Sequence, residues 1–173
     1  MPVTGFSVVP MKFIVAFILL IVSAVPASDL AVVRKEYVNA AVSEQSTNSF
    51  YKRFEDVTDT HHNTTLVAYK AVSIILKARY ESGLFSKKRL FDKGTDLLDA
   101  TISKDADNYE ARLIRLNVQD NVPWITGYTG KIKEDKTFLL KNFSAQPADL
   151  KAFAKAYILQ SDAFSKKEKK LVE

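Results

Sequence analysis

The sequence predicts an all-α protein built from antiparallel helical hairpins. Apolar residues recur through most of the chain at the three- and four-residue spacing of one helix face. Residues that favour helix starts, such as Asp29 and Asn63, stand immediately before two of these periodic segments. No window shows sustained alternation of apolar and polar residues bounded by turn signals, which is the pattern of a strand. Short polar links between the segments favour stacked hairpins.

The first three predicted helices precede Gly83. The first begins after Asp29, and its apolar face is formed by Leu30, Val33, Tyr37 and Ala41. The second begins near Ser46 or Thr47 and carries Phe50, Phe54 and Val57. Asn63 or Thr64 caps the third, whose apolar face consists of Leu66, Tyr69, Val72 and Leu76. Gly83 is expected to end it, because glycine is favoured just past a helix.

Four more helices are predicted after Gly83. Ser86 is the expected cap of the fourth. The fifth covers about residues 108–119. Its inward face is predicted to consist of Ala111, Ile114 and Val118, and its outward face of Arg112, Arg115 and Asn117. The sixth covers about residues 131–142, and the seventh starts at Gln146 and Pro147. Its stripe consists of Leu150, Phe153, Ala154, Tyr157 and Ile158.

The fourth helix resembles the second helix of a tetratricopeptide repeat. Gly94, Leu98 and Thr101 fall at the small, large and small positions of that repeat, and Ala106 stands where the repeat has proline. A small residue lets the two helices of a hairpin approach closely. We therefore expect a tetratricopeptide-like, right-handed array of about seven helices.

Residues 1–27 are predicted to be a secretory signal peptide. Lys12 precedes the apolar run at residues 13–22, and Ala27 closes a small-residue cleavage site. The alternative is a membrane anchor, but the run is shorter than the roughly 20 residues that span a bilayer. The chain has no cysteine, so lipoprotein processing is excluded together with disulfides. The mature protein is expected to be periplasmic or secreted, without a stable membrane span.

The rest of the chain is predicted to form one domain at residues 28–165 and a basic tail at residues 166–173. The formal net charge is +5, and part of the excess lies in the lysines of residues 166–170. This tail is interpreted as a solvated helix end, or alternatively as a contact for anionic lipid or an acidic partner. No aromatic-rich basic stripe supports a nucleic-acid partner.

The candidate site is the loop at residues 121–130, which interrupts the helical pattern with Pro123, Trp124, Gly127 and Gly130. In the structural interpretation, arginines bind loop carbonyls and Trp124 plugs the end of the core. Trp124→Ala would then lower the free energy of unfolding by about 3–5 kcal/mol. The alternative is a ligand or peptide pocket. The residues concerned in either case are Arg112, Arg115, Trp124 and Tyr128.

Other chemistry has little support in the sequence. His61 and His62, near Asp59, are interpreted as a solvated loop, with a metal site as the alternative. Neighbouring carboxylates are expected on solvated helix faces; they are Asp96 with Asp99 and Glu134 with Asp135. A nucleophile elbow and phosphate-binding glycine loops are both missing. No catalytic centre, cofactor or metal is therefore expected.

Four segments together resemble an exported helical protein family of Bacteroidetes, flavobacteria in particular. They are residues 33–41, 66–78, 90–107 and 108–136. Positions matching the family pattern are Tyr69, Lys70, Asn108, Glu110, Arg112, Arg115, Asn121, Pro123, Gly127 and Tyr128. The chain departs from it at Val72 and Thr126, and residues 82–86 lack its asparagine-proline pair. The resemblance implies a tetratricopeptide-like fold and an envelope location, but no activity.

Three function classes follow from these observations. The first is a non-enzymatic scaffold that binds a peptide or partner protein in the concave groove of the hairpins. The second is a carrier of a small molecule or lipid between the hairpins. The third, an enzyme, has the least support. A groove lined by tyrosine, asparagine and arginine would favour the scaffold. A closed apolar cavity would favour the carrier, and clustered buried carboxylates would favour an enzyme.

Overall fold

The computed structural model describes residues 29–173, and these residues are helical without any strand. The helices are α1 (Leu30–Ala40), α2 (Glu44–Arg53), α3 (Thr64–Ala78), α4 (Leu84–Lys104), α5 (Tyr109–Asn121), α6 (Ile132–Asn142), α7 (Ala148–Gln160) and α8 (Lys166–Lys169). Short 3₁₀ turns at Trp124–Thr126 and Phe143–Ala145 precede α6 and α7. The all-α prediction is confirmed. The predicted signal peptide lies outside the described residues.

The α3–α4 hairpin is the most closely packed pair of helices in the described part of the chain. Thr64, the first residue of α3, donates a hydrogen bond to Asp105 at the end of α4, over 2.6 Å. The two helices therefore run antiparallel, as predicted. The right-handed repeat arrangement of all the hairpins stays a prediction.

Gly94 explains the close approach of α3 and α4. A Cβ atom at this position would lie 2.5 Å from Ile75 Cγ1 and 2.8 Å from the Ala71 carbonyl oxygen. Real Cβ atoms do not come that close, so only glycine fits without a shift of α3. The repeat-like spacing thus located a real helix–helix contact.

Gly94→Ala is expected to lower the free energy of unfolding by about 1–3 kcal/mol, because the added methyl group overpacks the α3–α4 interface. Denaturant unfolding of the variant measures this change. Gly130→Ala is the matched control, since a Cβ there meets nothing within 4 Å. An effect of Gly94→Ala no larger than that of the control would contradict the tight packing.

Several predicted helix boundaries were wrong by a few residues. α2 starts at Glu44, behind the cap Ser43, rather than near Ser46 or Thr47. α3 ends at Ala78, and Gly83 stands before α4 instead of closing α3. The predicted cap Ser86 lies inside the first turn of α4. By contrast, Asp29 and Asn63 cap α1 and α3 as predicted, each accepting backbone hydrogen bonds.

α5 is the central helix of the fold because both of its long faces are buried. Ala111, Ile114 and Val118 belong to a core cluster shared with α1 to α4. Leu113 and Leu116 belong to a second cluster shared with α6, α7 and the carboxyl-terminal residues. A helix buried on two faces has no fully solvated side, so the prediction that Arg112 and Arg115 point outward was wrong.

The basic carboxyl-terminal segment is packed onto the domain. Ser165 and Glu168 form a reciprocal capping box at the start of α8. Val172 is 4 % exposed and packs with Phe164 in the second core cluster. Residues 166–169 therefore form a short helix, and Val172 packs the residues after it onto the domain.

Candidate functional site: an apolar groove beside the tryptophan loop

An open groove of about 1200 Å³ lies between α1, α3, α4, α5 and α7. Its apolar lining includes Val72, Ile75, Ile114, Val118 and Phe153. The α3–α4 hairpin forms one wall and α7 contributes to the lining from the other side of α5. The loop at residues 121–130 adds Pro123 and Ile125 at one end. A concave surface of this size with mostly apolar walls is the usual form of a binding site.

Polar groups interrupt the apolar lining of the groove. Tyr37 donates a hydrogen bond to the Asn117 side chain over 2.6 Å, and Asn121 donates to the Asn117 carbonyl over 2.8 Å. Gln160 adds another amide. Burial raises the pKa of Tyr37 above its ordinary value, so this hydroxyl stays protonated and remains a donor.

The charged residues of the lining are mainly basic and lie at the α3–α4 end. They are Arg79, Lys87 and Lys88, against the single acid Asp92. Arg79 donates to the Ala41 carbonyl over 3.2 Å, and Lys87 donates to the Arg79 carbonyl over 3.2 Å. Lys88 pairs with Asp92 at 2.5 Å. The groove therefore presents a net positive rim to any ligand.

The tryptophan loop does not close the core, and the prediction that Trp124 is a plug was wrong. Trp124 is 83 % exposed and Ile125 is 76 % exposed. Both lie on the 3₁₀ turn that Gly127 ends with a positive φ of 70°. Tyr128 holds the loop instead, because its hydroxyl donates to Asp99 over 3.0 Å and its ring meets Phe91 edge-on at 6.0 Å. Burial, with the nearby charge of Asp99, raises the pKa of Tyr128.

Trp124→Ala is accordingly expected to change the free energy of unfolding by no more than about 0.5 kcal/mol, the usual range for exposed positions. A buried Trp124 would instead have given a loss of about 3–5 kcal/mol in the free energy of unfolding. Thermal unfolding compares the variant with Tyr128→Ala, which removes the ring that anchors the loop. A Trp124→Ala loss as large as that of Tyr128→Ala would show that the tryptophan is packed after all.

Arg112 and Arg115 do not bind the loop carbonyls, which corrects the structural interpretation of the sequence. Both pair with Asp135, a side chain with no exposed surface. Arg112 donates to Asp135 over 2.9 Å and to the Ala106 carbonyl over 2.7 Å. Arg115 contacts both Asp135 oxygens, at 2.7 and 2.8 Å. The expectation that Asp135 lies on a solvated face was therefore also wrong.

The outer partners of this cluster complete its charge balance. Glu134 accepts from Arg112 over 3.1 Å, and Asp99 accepts from Arg115 over 3.0 Å. Burial acts to lower the pKa of Arg115, but hydrogen bonds and charge from Asp135 outweigh it and raise this pKa. The arginines are thus engaged by the protein's own carboxylates. Trp124 and the two arginines do not combine into a carboxylate pocket.

A second buried ionic cluster, which the sequence did not predict, joins α1, α3, α5 and α7. Arg34 donates to both Glu110 oxygens, at 2.8 and 2.7 Å, and to Asp149 over 2.6 Å. Tyr69 donates to the same Glu110 carboxylate. Burial and the charge of Glu110 raise the pKa of Tyr69, which keeps it a donor. Clustered carboxylates exist, but each buried one is matched by arginine.

Comparisons with family models, with curated proteins and with solved structures found no match to this chain. The resemblance to the Bacteroidetes family and the envelope location it implies therefore stay predictions. Within residues 29–173, none of the helices combines the length and apolar character needed to cross a bilayer. The candidate site rests on the geometry of the groove.

The histidine pair does not form part of this site. The rings of His61 and His62, in the α2–α3 link, have centroids 4.3 Å apart and are tilted by 30° to each other. His61 Nδ1 accepts a hydrogen bond from the Asn63 backbone over 3.1 Å. No cluster of three or more candidate ligands for a metal ion occurs among residues 29–173. His61 therefore stabilises the local turn that leads into α3.

Proposed function

We propose that this protein is an exported, non-enzymatic binding protein that holds an amphipathic segment of a partner protein in the groove. The observation that carries this proposal is the open, mainly apolar groove with amide and tyrosine groups in its lining. An amphipathic helix laid in an apolar groove is a recurrent mode of peptide recognition. Export rests on the signal peptide predicted at residues 1–27.

The chemistry of the lining favours a peptide that is apolar on one side and acidic at one end. Val72, Ile75 and Ile114 offer apolar surface for its buried side chains. Asn121 and Gln160 offer hydrogen bonds that a peptide can use. Acidic side chains of the partner complement Arg79 and Lys87 on the rim. The two buried ionic clusters hold the helices that form the groove, and neither provides a free nucleophile or base.

Selection of helical peptides from a displayed library tests this proposal. Peptides with apolar residues at three- and four-residue spacing and with acidic residues are expected to bind the wild type. Val38→Asp is expected to weaken their binding about tenfold or more, because it places a charge in the groove. Val38 is 58 % exposed, so the fold tolerates the change.

Leu171→Asp is the matched control, since Leu171 is 66 % exposed and does not line the groove. Selected peptides that bind Val38→Asp as well as they bind the wild type would refute the groove as their site. Recovery of no helical, acidic class of peptide would refute the proposed partner chemistry.

A second candidate is a carrier of a lipid or other apolar small molecule, which the apolar part of the lining favours. An acyl chain would leave Asn117, Asn121 and Gln160 facing hydrocarbon, which is unfavourable. The groove is also open, whereas a carrier usually encloses most of its ligand. A fluorescent fatty acid distinguishes the two: saturable binding that Val38→Asp removes, without any peptide binding, would select the carrier.

A further inference from the structure

The exposed apolar side chains of this protein are gathered at one end of the helices. Among residues 29–173, eight large apolar side chains are exposed. Seven of them lie near the carboxyl ends of α1 and α7, in the turns that follow α1 and α5, or at the start of α4. These seven are Val38, Val42, Leu84, Phe85, Trp124, Ile125 and Leu159. Only Leu171 lies elsewhere. We call the end formed by these seven residues the apolar end.

Contacts between the helices establish that these segments meet at the same end. Arg79, after α3, donates to the Ala41 carbonyl after α1. Ser161, after α7, donates to Asp120 at the end of α5 over 2.6 Å. α1 and α5 run in parallel, since Arg34 meets Glu110 and Tyr37 meets Asn117. The groove lining includes Val38, Leu84 and Ile125, so the apolar end surrounds one end of the groove.

Basic side chains accompany the most exposed apolar pair. Leu84 is 80 % exposed and Phe85 is 92 % exposed, at the first two positions of α4. Residues 87–89 then present Lys87, Lys88 and Arg89, all exposed. Lys88 pairs with Asp92, whereas Lys87, within the described residues, donates only to a backbone carbonyl. Apolar side chains and cations therefore project together from the start of α4.

We propose that the apolar end docks on an anionic membrane surface. Phe85 and Trp124 would enter the interface between headgroups and acyl chains, the depth that aromatic side chains favour. Lys87, Lys88 and Arg89 would meet lipid phosphates, each basic residue adding to the attraction. The protein lies on the membrane in this arrangement and does not span it.

The composition of the apolar end favours a lipid surface over a protein partner. Lysine is depleted in protein interfaces, while basic residues beside protruding aromatics are the pattern of membrane-surface binding. The apolar side chains come from separate helix ends; Val38, Leu84 and Ile125 line the groove, whereas Phe85 and Trp124 are exposed outside it. Phe85 and Trp124 lie outside the groove lining, so Phe85→Ser tests membrane docking without changing the groove, whereas Lys87 belongs to both surfaces.

Trp124 provides the readout, because it is the only tryptophan in the chain. A chain that starts at Ser28 contains all the helices and both core clusters, and it lacks the apolar run at residues 13–22. Vesicles of phosphatidylglycerol mixed with phosphatidylcholine are expected to shift Trp124 emission to shorter wavelength and to sediment the protein. Vesicles of phosphatidylcholine alone are expected to bind far more weakly, and added salt is expected to release the protein.

Two variants and two matched controls locate the contact. Phe85→Ser is expected to weaken vesicle binding about tenfold or more, because it removes a large apolar side chain from the interface. Lys87→Ser is expected to weaken it about 5-fold. Leu171→Ser and Lys167→Ser change an exposed apolar and an exposed basic residue at other positions, and should bind as the wild type does. All four positions are exposed, so the melting temperature should stay unchanged.

An unchanged Trp124 emission in the presence of saturating anionic vesicles would overturn the proposal. Equal losses in Phe85→Ser and Leu171→Ser would also overturn it, because the binding would not be specific to the apolar end. Concentration-dependent self-association that Phe85→Ser removes, without any vesicle binding, would assign the surface to a protein interface instead. Val38 belongs both to the groove lining and to the apolar end, so peptide selection with Val38→Asp is done without vesicles and then reports on peptide binding alone.

Discussion

Asp135→Asn is expected to lower the free energy of unfolding by about 3–5 kcal/mol, the range for removing one partner of a buried ion pair. Asp135 is completely buried and neutralises two arginines at once. Asparagine keeps the size of the side chain but loses its charge. The fold then retains two guanidinium groups that are largely shielded from water. Denaturant unfolding monitored by circular dichroism measures the loss.

Glu134→Gln is the matched control for this variant. Glu134 contacts the same Arg112, but its side chain is 49 % exposed. Exposed ion pairs contribute about 1 kcal/mol or less. Equal effects of Asp135→Asn and Glu134→Gln would contradict the structural role assigned to the buried cluster.

Glu110→Gln is expected to destabilise the protein by about 3 kcal/mol, at the lower end of the same range. The change removes the charge that faces Arg34 and weakens the acceptor of the Tyr69 hydroxyl. Asp149 remains bound to Arg34, so part of the compensation persists. Hydrogen exchange should show faster opening of α1, because Arg34 joins this helix to α5 and α7.

Asp149→Asn tests how far the Glu110 effect depends on burial. Asp149 pairs with the same Arg34, but its side chain is 58 % exposed. Its hydrogen bond from Arg34 lowers the pKa of the Asp149 carboxyl. This exposed change is expected to leave α1 nearly as stable as in the wild type. Faster hydrogen exchange of α1 in Asp149→Asn than in Glu110→Gln would show that Asp149, and not Glu110, is the main partner of Arg34.

Helical periodicity was sufficient to predict the fold class and most of the helices. Cap residues such as Asn63 were predictable because their hydrogen bonds are local. The start of α4 was not predictable in this way, because Gly83 precedes this helix and has no side chain to cap it. α8 spans four residues, which is too short for periodicity to distinguish it from a charged tail.

The buried ionic clusters beside the candidate site were harder to predict, because their contacts join distant parts of the chain. Arg34 and Glu110 are 76 residues apart, and nothing local marks them as partners. Arg112 and Arg115 were assigned outward because charge predicts exposure, but α6 covers that face and supplies Asp135. A proline and two glycines around Trp124 suggested a buried plug, whereas the same residues form an exposed turn. The loop does line one end of the groove, through Pro123 and Ile125.

Photo-crosslinking from the groove, in the cells that produce the protein, tests the central claim most directly. A photoreactive residue at Val38 is expected to form an adduct that a selected acidic helical peptide suppresses. The same residue at Glu134, beside the buried arginines, is expected to form no such adduct. An adduct from position 134 alone, or one from position 38 that the peptide does not suppress, would contradict the groove as the binding site.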